Sequence, residues 1–408
     1  MVHIERTVKL QGHIIQERWF DQLERVMKLH QGSYTVLEFH VGKEEKDLSS
    51  LTLLIHLPQQ EWDPLLEQLR HPQLELTVVE EAIQLQRCTK DQTAPRDFYS
   101  TTNHPTEVYW EGQWIPVSYQ RMDASIVIRD GKAICTKLRD LRAGDLVVCG
   151  EHGIRIHPPQ QEDRHDHFAF MTTEVSSERY VERQVRHLAE TMLEIQQRQG
   201  RIIFVAGPVV VHTGGVQPMV ELIEKGYVQG FLSGNALAVH DIEHALYGTS
   251  LGVHLESGEL APSGHKHHMM AINEINHAGS IVEAVQKGVL QSGIMHALVQ
   301  YQIPFSLAGS IRDDGPLPDT EMDLIQAQAQ YATIIEGCEI VIMLSSMLHA
   351  IGTGNMLPST VKTICVDINP AVVAKLADRG SAQAEGLVTD VGLFLTLLNQ
   401  YCRPIIST

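Results

Sequence analysis

Short stretches that are apolar from end to end recur through the carboxyl half of the chain, and they restrict its fold more than any other feature. They are RIIFVAG (201–207), YVQGFLSG (227–234), IPFSLAGS (303–310), CEIVIMLSS (338–346), VKTICVDI (361–368) and AEGLVTD (384–390). A strand with one wet face alternates apolar and polar residues; a strand apolar throughout is buried on both faces. Between these runs lie segments of helical period, among them QPMVELIEKG, NALAVHDIEHALYG, EMDLIQAQAQYATIIEG, AVVAKLADRG and VGLFLTLLNQYC. Strands and helices in alternation predict an α/β domain over 166–408, a parallel sheet covered by helices on both sides. Ligands of such sheets sit at the carboxyl ends of the strands, which selects the residues to question.

The amino-terminal part reads differently. IERTVKLQGHII, SYTVLEFHVG, SLTLLIHLP and LELTVVEEAIQLQRC are strand-like, and WFDQLERVMKLH and EWDPLLEQLR are helical. The order β-α-β-β-α-β predicts a ferredoxin-like α+β domain over 1–92. Turn formers in KDQTAPRDFYSTTNHPTE mark a boundary. WIPVSY, ASIVIRDGKAICTKL and DLVVCGEHGIRIHPP then predict a small β-domain over 93–165, with Asp130-Gly131 as a hairpin turn. A hydrophilic linker, PPQQEDRHDHF, follows; its His165 and His167 read as solvated residues rather than metal ligands.

Charge and length exclude some functions. A net charge of −18 argues against nucleic acid, which demands a basic face. No apolar run reaches the ~20 residues of a membrane-spanning helix. Six cysteines with no CxxC pair predict free thiols and a cytoplasmic protein.

Residues collected at the predicted strand ends have a common character. Gly214-Gly215 lets backbone approach a ligand, and Asn235 and Ala236 open a helix. SIRDDGPLPD carries Arg312, Asp313 and Asp314; IGTGNMLP carries a small-residue loop with Thr353, Gly354, Asn355 and Met356. Asp367 ends a strand, and Asp390 with Val391 starts another helix. Helix amino-termini suit phosphate and strand-tip acids suit ribose. The Gly352-Thr353-Gly354 stretch is not the usual dinucleotide fingerprint, because Pro358 follows at once and Asp367 arrives well short of the ~20-residue spacing. Strand, small-residue loop, short connection and a strand ending in Asp-Ile-Asn resemble instead the NAD domain shared by deoxyhypusine synthase and sirtuins.

Two further stretches carry chemistry. HDIEH (240–244) matches the H-x-x-E-H spacing of a zinc peptidase helix. The match is short and its apolar flanks predict a helix packed on the sheet, so no metal is assigned and His240, Asp241 and Glu243 are kept as active-site polar groups. GHKHHMMAINEINHAGS places Lys266 before an apolar helix, as a helix cap, a carboxylate ligand or a proton carrier.

With these residues in hand, TVKLQGHII, VLEFHVGK, TTNHPTEV, MTTEVSSER, GPVVVHTGG, LSGNALAVHDIEHALYGTSLG, AGSIRDDGPLPD, IGTGNMLP, CVDINP and TDVGLF resemble, in order, the blocks of the archaeal and cyanobacterial-type ornithine cyclodeaminase family. That family was long labelled a lysine-oxoglutarate reductase/saccharopine dehydrogenase conserved region. It also forms the carboxyl-terminal part of arginine dihydrolase/ornithine cyclodeaminase fusions, whose arginine-hydrolysing domain is not expected here. The resemblance implies conversion of L-ornithine to L-proline and ammonia with NAD recycled in each turnover, in a homo-oligomer. It implies cofactor contacts at Asn235, Ala236, Asp313, Thr353 to Met356, Asp367, Asp390 and Val391. Asp314 is the first expectation for proton transfer, Glu243 and His240 the second, and Lys266 or Arg312 for holding the substrate carboxylate. A net dehydrogenase of saccharopine type and a non-catalytic NAD or amino-acid sensor are the alternatives.

Overall fold

A computed structural model describes residues 3–14, 19–42, 47–70, 74–79, 82–157, 177–254, 258–261, 264–313, 315–378 and 384–402. Asp314, His165 and His167 lie outside the described residues. The chain divides into two compact units.

The first unit contains residues 1–84, 108–115 and 150–154. Strands His3–Gly12, Ser33–His40, Ser49–Pro58 and Leu74–Val79 form an antiparallel sheet in which the first and third strands are central. With helices Trp19–Leu29 and Trp62–Leu69 this is the ferredoxin-like order. Ser49–Pro58 shows why it folds so: Leu51, Leu53, Ile55 and Leu57 alternate inward and are fully buried. They meet Trp19, Leu23, Leu65 and Leu69 of the helices, each such burial contributing about 1.5–3 kcal/mol. The long run LELTVVEEAIQLQRC is not one strand. It divides into Leu74–Val79 and a separate strand, Gln84–Arg87.

The second unit holds the rest of the chain. Strands Ser125–Arg129 and Lys132–Thr136 form the hairpin expected around Asp130-Gly131. Both turn residues have positive φ, 48° and 74°, the geometry that Asp-Gly accepts most cheaply.

The parallel sheet has seven strands, in the spatial order Thr320–Glu321, Phe305–Ala308, Gly230–Gly234, Ile202–Ala206, Ile340–Leu344, Lys362–Asp367 and Ala384–Val388. Every pairing between neighbours is parallel. Ile202–Ala206 is buried at all five positions. Ile202, Phe204 and Ala206 join the core under helices Ser177–Gln197, Val216–Glu224, Asn235–Tyr247 and Val391–Tyr401. Ile203 and Val205 join the opposite core under Leu324–Ile335 and Met347–Gly354. The missing alternation in the sequence therefore has its predicted cause.

One expectation is corrected. IGTGN is not a loop: Gly352, Thr353 and Gly354 form the last turn of helix Met347–Gly354, and Asn355 caps it. Glycine disfavours a helix by about 1 kcal/mol per residue, but Ala350, Met356 and Leu357 are buried against the sheet, and that packing outweighs propensity. Among the described residues no helix is long and apolar enough to cross a membrane, and all six cysteines are free and buried.

Candidate active site

From Ile202–Ala206 the chain builds outward to one edge of the sheet, then returns to the other side of the same strand with Ile340–Leu344. The connections leaving these two neighbouring strands diverge, and a doubly wound sheet binds its ligand in the crevice so formed. The crevice begins at Gly207 and Ser345. Gly207 N–H donates to the Leu344 carbonyl at 2.9 Å, and a Cβ on Gly207 would stand 2.3 Å from the Ser345 carbonyl oxygen. Only glycine permits this approach. Ser345 itself has φ 43°, a left-handed strain of the kind that clusters at binding sites, and Ser346 caps the helix that follows. These backbone groups suit a dinucleotide phosphate.

Asp367 fits the neighbouring sugar. It is 8% exposed at the end of its strand. One carboxylate oxygen accepts the Asn369 amide at 2.8 Å, and the other accepts no hydrogen bond among the described residues. Asp390 accepts the Leu393 amide at 2.9 Å and caps helix Val391–Tyr401, with Val391 buried behind it. Asn235, at the start of its helix, has its side-chain oxygen occupied by the Leu317 amide at 3.0 Å and the Thr320 hydroxyl at 2.9 Å; Ala236 beside it is partly exposed. Asp313 accepts the Ser310 amide at 2.7 Å and acts on His349, whose basicity burial lowers and Asp313 partly restores.

The structure does not bring Thr353, Gly354, Asn355 and Met356 to these tips. They end a helix of eight residues, about 12 Å below its start at ~1.5 Å per residue. Met356 instead lines a cleft with Ile335, Cys338 and Val361, residues that precede strands Ile340–Leu344 and Lys362–Asp367. Ser345 and Ser346 hold the strand-tip place that sequence reasoning gave to the GTGN residues. The Thr353 hydroxyl is buried with no hydrogen-bond partner among the described residues.

A second cluster gathers three separated segments around Glu243. Helix Asn235–Tyr247 carries His240 and Glu243 on one face. The next residues make a two-residue turn at Leu251 and Gly252, with φ of 52° and 74°, which aims both amides at the Glu243 carboxylate. Gly252 N–H and the Thr249 hydroxyl donate to Oε1, each at 2.9 Å; Leu251 N–H donates to Oε2 at 3.1 Å. His268 Nδ1 lies 3.4 Å and His240 Nδ1 3.8 Å from Oε2. Ser250 Oγ joins His240 Nδ1 at 3.1 Å to His212 Nδ1 at 3.0 Å. Thr249 Oγ1 also meets His267 Nδ1 at 2.9 Å.

The electrostatics follow from these contacts. Burial pushes the Glu243 carboxyl up, but hydrogen bonds from His240, His268, Gly252 and Thr249 outweigh it and hold the group well below the usual carboxylate range. Burial lowers the His212 imidazole, and nearby His240 lowers it further against the pull of Glu243. The result is a buried anion under a rim of imidazoles, with His212 exposed. Thr213, next to His212, packs its carbonyl 2.0 Å from where a Gly392 Cβ would stand. Gly392 begins the helix after the last parallel strand, so the cluster lies at the same end of the sheet as the crevice.

The HDIEH spacing pairs His240 with His244, yet the third member of the cluster is His268 of helix His267–Ala278. Ligand atoms of His240, Glu243 and His268 lie within 4.8 Å of one another. Both Glu243 oxygens already accept protein donors, and the His268 Nδ1 is turned to Glu243 itself. A carboxylate among imidazoles in this way is suited to proton transfer. Asp241 points elsewhere: fully buried, it accepts the Ile294 and Met295 amides at 2.9 and 2.8 Å and anchors helix Ile294–Gln300. Lys266 caps helix His267–Ala278 and is exposed. Sequence reasoning missed His212, Ser250, Thr249 and His268; of these only His268 had a local signal, the histidines at 265, 267 and 268.

Comparison with known proteins places these features in a family. Residues 186–398 match the family model described as arginine dihydrolase ArgZ-like, C-terminal, Rossmann fold. Residues 105–185 match its first region, and 5–104 match the LOR/SDH bifunctional enzyme conserved region. The chain is similar to a protein named ornithine cyclodeaminase from Methanocaldococcus jannaschii, 46% identical over 403 residues, covering 96% of this chain and 95% of that protein. It is 45% identical over 419 residues to the bifunctional arginine dihydrolase/ornithine cyclodeaminase AgrE of Nostoc sp., spanning all of this chain and 59% of AgrE. Among solved structures, a putative LOR/SDH protein from Methanococcus maripaludis superposes with a TM-score of 0.75 at 47% identity, over 79% of this chain and 98% of that one. The complex of AgrE with ornithine and NAD+ superposes with a TM-score of 0.54 at 44% identity, over 98% of this chain and 57% of that one.

Proposed function

The chain belongs to the ArgZ-like C-terminal family that includes the ornithine cyclodeaminases, and from that premise we propose that it is an NAD-dependent enzyme converting L-ornithine to L-proline and ammonia. The observation that carries the reading is the Glu243 carboxylate, fully buried among imidazoles at the end of the sheet where the strand connections diverge.

The dinucleotide supplies removal of hydride from the α-carbon and its return after ring closure. This chain's residues supply the remainder. Gly207, Ser345 and Ser346 would receive the phosphates, and Asp367, with one carboxylate oxygen left over, a ribose hydroxyl. Asn235, Ala236, Asp313, Asp390 and Val391 would close the sides of the crevice. Thr353 to Met356 would support it from the far end of their helix.

The reaction requires an amine to lose a proton before ring closure and an ammonia to gain one as it departs. Glu243, held ionised, faces His240 and His268, and one of these imidazoles would take the first proton and return it to the leaving nitrogen. Ser250 passes charge between His240 and the exposed His212, which connects the cluster to water. Asp314 remains the competing carboxylate for this role, and Lys266 or Arg312 would hold the substrate carboxylate.

The test is ornithine as sole substrate, with NAD in trace amount. Proline and ammonia should form in equal amounts without a steady rise in NADH absorbance. A stoichiometric accumulation of NADH would identify a net dehydrogenase instead, and NAD retention with no product would identify a sensor.

A further inference from the structure

A second cleft, of about 1070 Å3, opens at the opposite end of the parallel sheet. Its floor is apolar, formed by Ile335, Cys338 and Leu357 where the chain enters strands Ile340–Leu344 and Lys362–Asp367. Its wall is the cationic face of the Lys132–Thr136 hairpin region: Arg121, Lys132 and Lys137. None of the three has a carboxylate within ion-pair distance among the described residues. The Lys137 ammonium is bonded to the neutral amide oxygen of Gln328; Arg139 beside it makes no hydrogen bond through its buried Nε among the described residues, and its nearest acid, Asp140, stands 3.8 Å away. The Gln120 amide oxygen at the cleft is buried and likewise unpartnered. Among the described residues that line the cleft the acids are Asp140 and Glu336, both exposed.

Crowding of this kind has a cost. Burial first, then Arg121 and Arg139, push the Lys137 ammonium down to about 7, against a smaller pull from Asp140; burial and Arg139 also lower Arg121, which Cys135, Asp140 and Asp123 only partly restore. Half-buried like charges repel strongly where water is partly excluded. In a chain of net charge −18, solubility does not explain cations gathered in one concavity. An anion seated among them removes the repulsion and gains charge-assisted hydrogen bonds.

We propose that this cleft binds a small multivalent oxyanion, a phosphate monoester or a di- or tricarboxylate, through Arg121, Lys132 and Lys137. It is separate from the crevice at Gly207 and Ser345, because strands of five and six residues hold the two sites about 15 Å or more apart at ~3.3 Å per residue. The proposal does not depend on the reaction assigned above.

The experiment is thermal unfolding of the full chain saturated with NAD, titrated at constant ionic strength with inorganic phosphate, with citrate, or with chloride as control. Phosphate or citrate should raise the midpoint in a saturable way that chloride does not, and the arm that saturates at lower concentration identifies the chemistry. In Lys137→Gln with Arg121→Gln the affinity should fall by about tenfold or more, the loss of one to two charge-assisted contacts, while NAD retention is unchanged. Lys132→Gln, an exposed change that leaves the fold intact, should weaken the response in the same direction. The proposal is overturned if neither anion exceeds chloride, or if Lys132→Gln responds as the wild type does.

Discussion

The carboxylate of Glu243 and the imidazole of His268 face each other at 3.4 Å, the first side chain with no exposed surface and the second 31% exposed. One partner is an anion shut away from water; the other is an imidazole that water can reach. A buried anion against a solvent-facing ring suits the proton transfer proposed for this pair, and the proposal has consequences that can be measured.

Glu243→Gln keeps the shape and removes the charge. Turnover should fall by about 100-fold or more, the usual size of a lost acid–base contribution, with NAD retention unchanged. The same variant reports a pH effect on stability. Because the folded carboxyl is held below its unfolded value, its contribution is complete above an unfolded pKa of about 4.3 and is lost as pH falls below it toward the folded value. The difference in melting temperature between wild type and variant should therefore shrink on acidification below that point.

Asp314→Asn separates the two candidate carboxylates. If Glu243 anchors the proton transfer, Asp314→Asn should retain more of the turnover than Glu243→Gln when the two are assayed side by side with ornithine. The reverse order would move the role to Asp314.

Ser250→Ala removes the hydroxyl bridging His212 and His240. The expected result is a fall in kcat of about tenfold, smaller than the loss of an acid–base group itself because the hydroxyl acts through His240, with KM preserved and the pH–rate profile displaced. A merely structural serine would lower stability and leave that profile in place.

Gly207→Ala places a methyl group 2.3 Å from the Ser345 carbonyl. Overpacking of this sort costs about 1–3 kcal/mol. NAD should be lost on gel filtration before the fold is lost on heating, because the strain falls on the crevice.

Asp241→Asn should leave turnover nearly intact and alter stability instead. Burial lifts the Asp241 carboxyl to about 6, against the pull of the Met295 and Ile294 amides. A raised carboxyl contributes stability that is complete below the unfolded value of ~3.9 and is lost as pH climbs through the folded one. Wild type should thus lose stability between about pH 4 and 6 relative to the variant, followed by thermal unfolding across that range.

What the sequence determined by itself is everything set by local pattern. Unalternating runs such as Ile202–Ala206 declare burial on both faces. The 2-residue period of Ser49–Pro58 declares one face, and Asp130-Gly131 declares its turn through its own steric freedom. Strand-tip residues such as Asn235 and Asp367 were legible because a parallel sheet exposes its ligand end at predictable points. Tertiary structure alone decided two matters. The Gly352-Thr353-Gly354 stretch is helical because Ala350, Met356 and Leu357 are buried beneath it, an energy no local propensity contains. And Glu243 is an anion among histidines because His212 and His268 arrive from two other segments, a meeting that depends on how the helices pack and has no period or spacing to announce it.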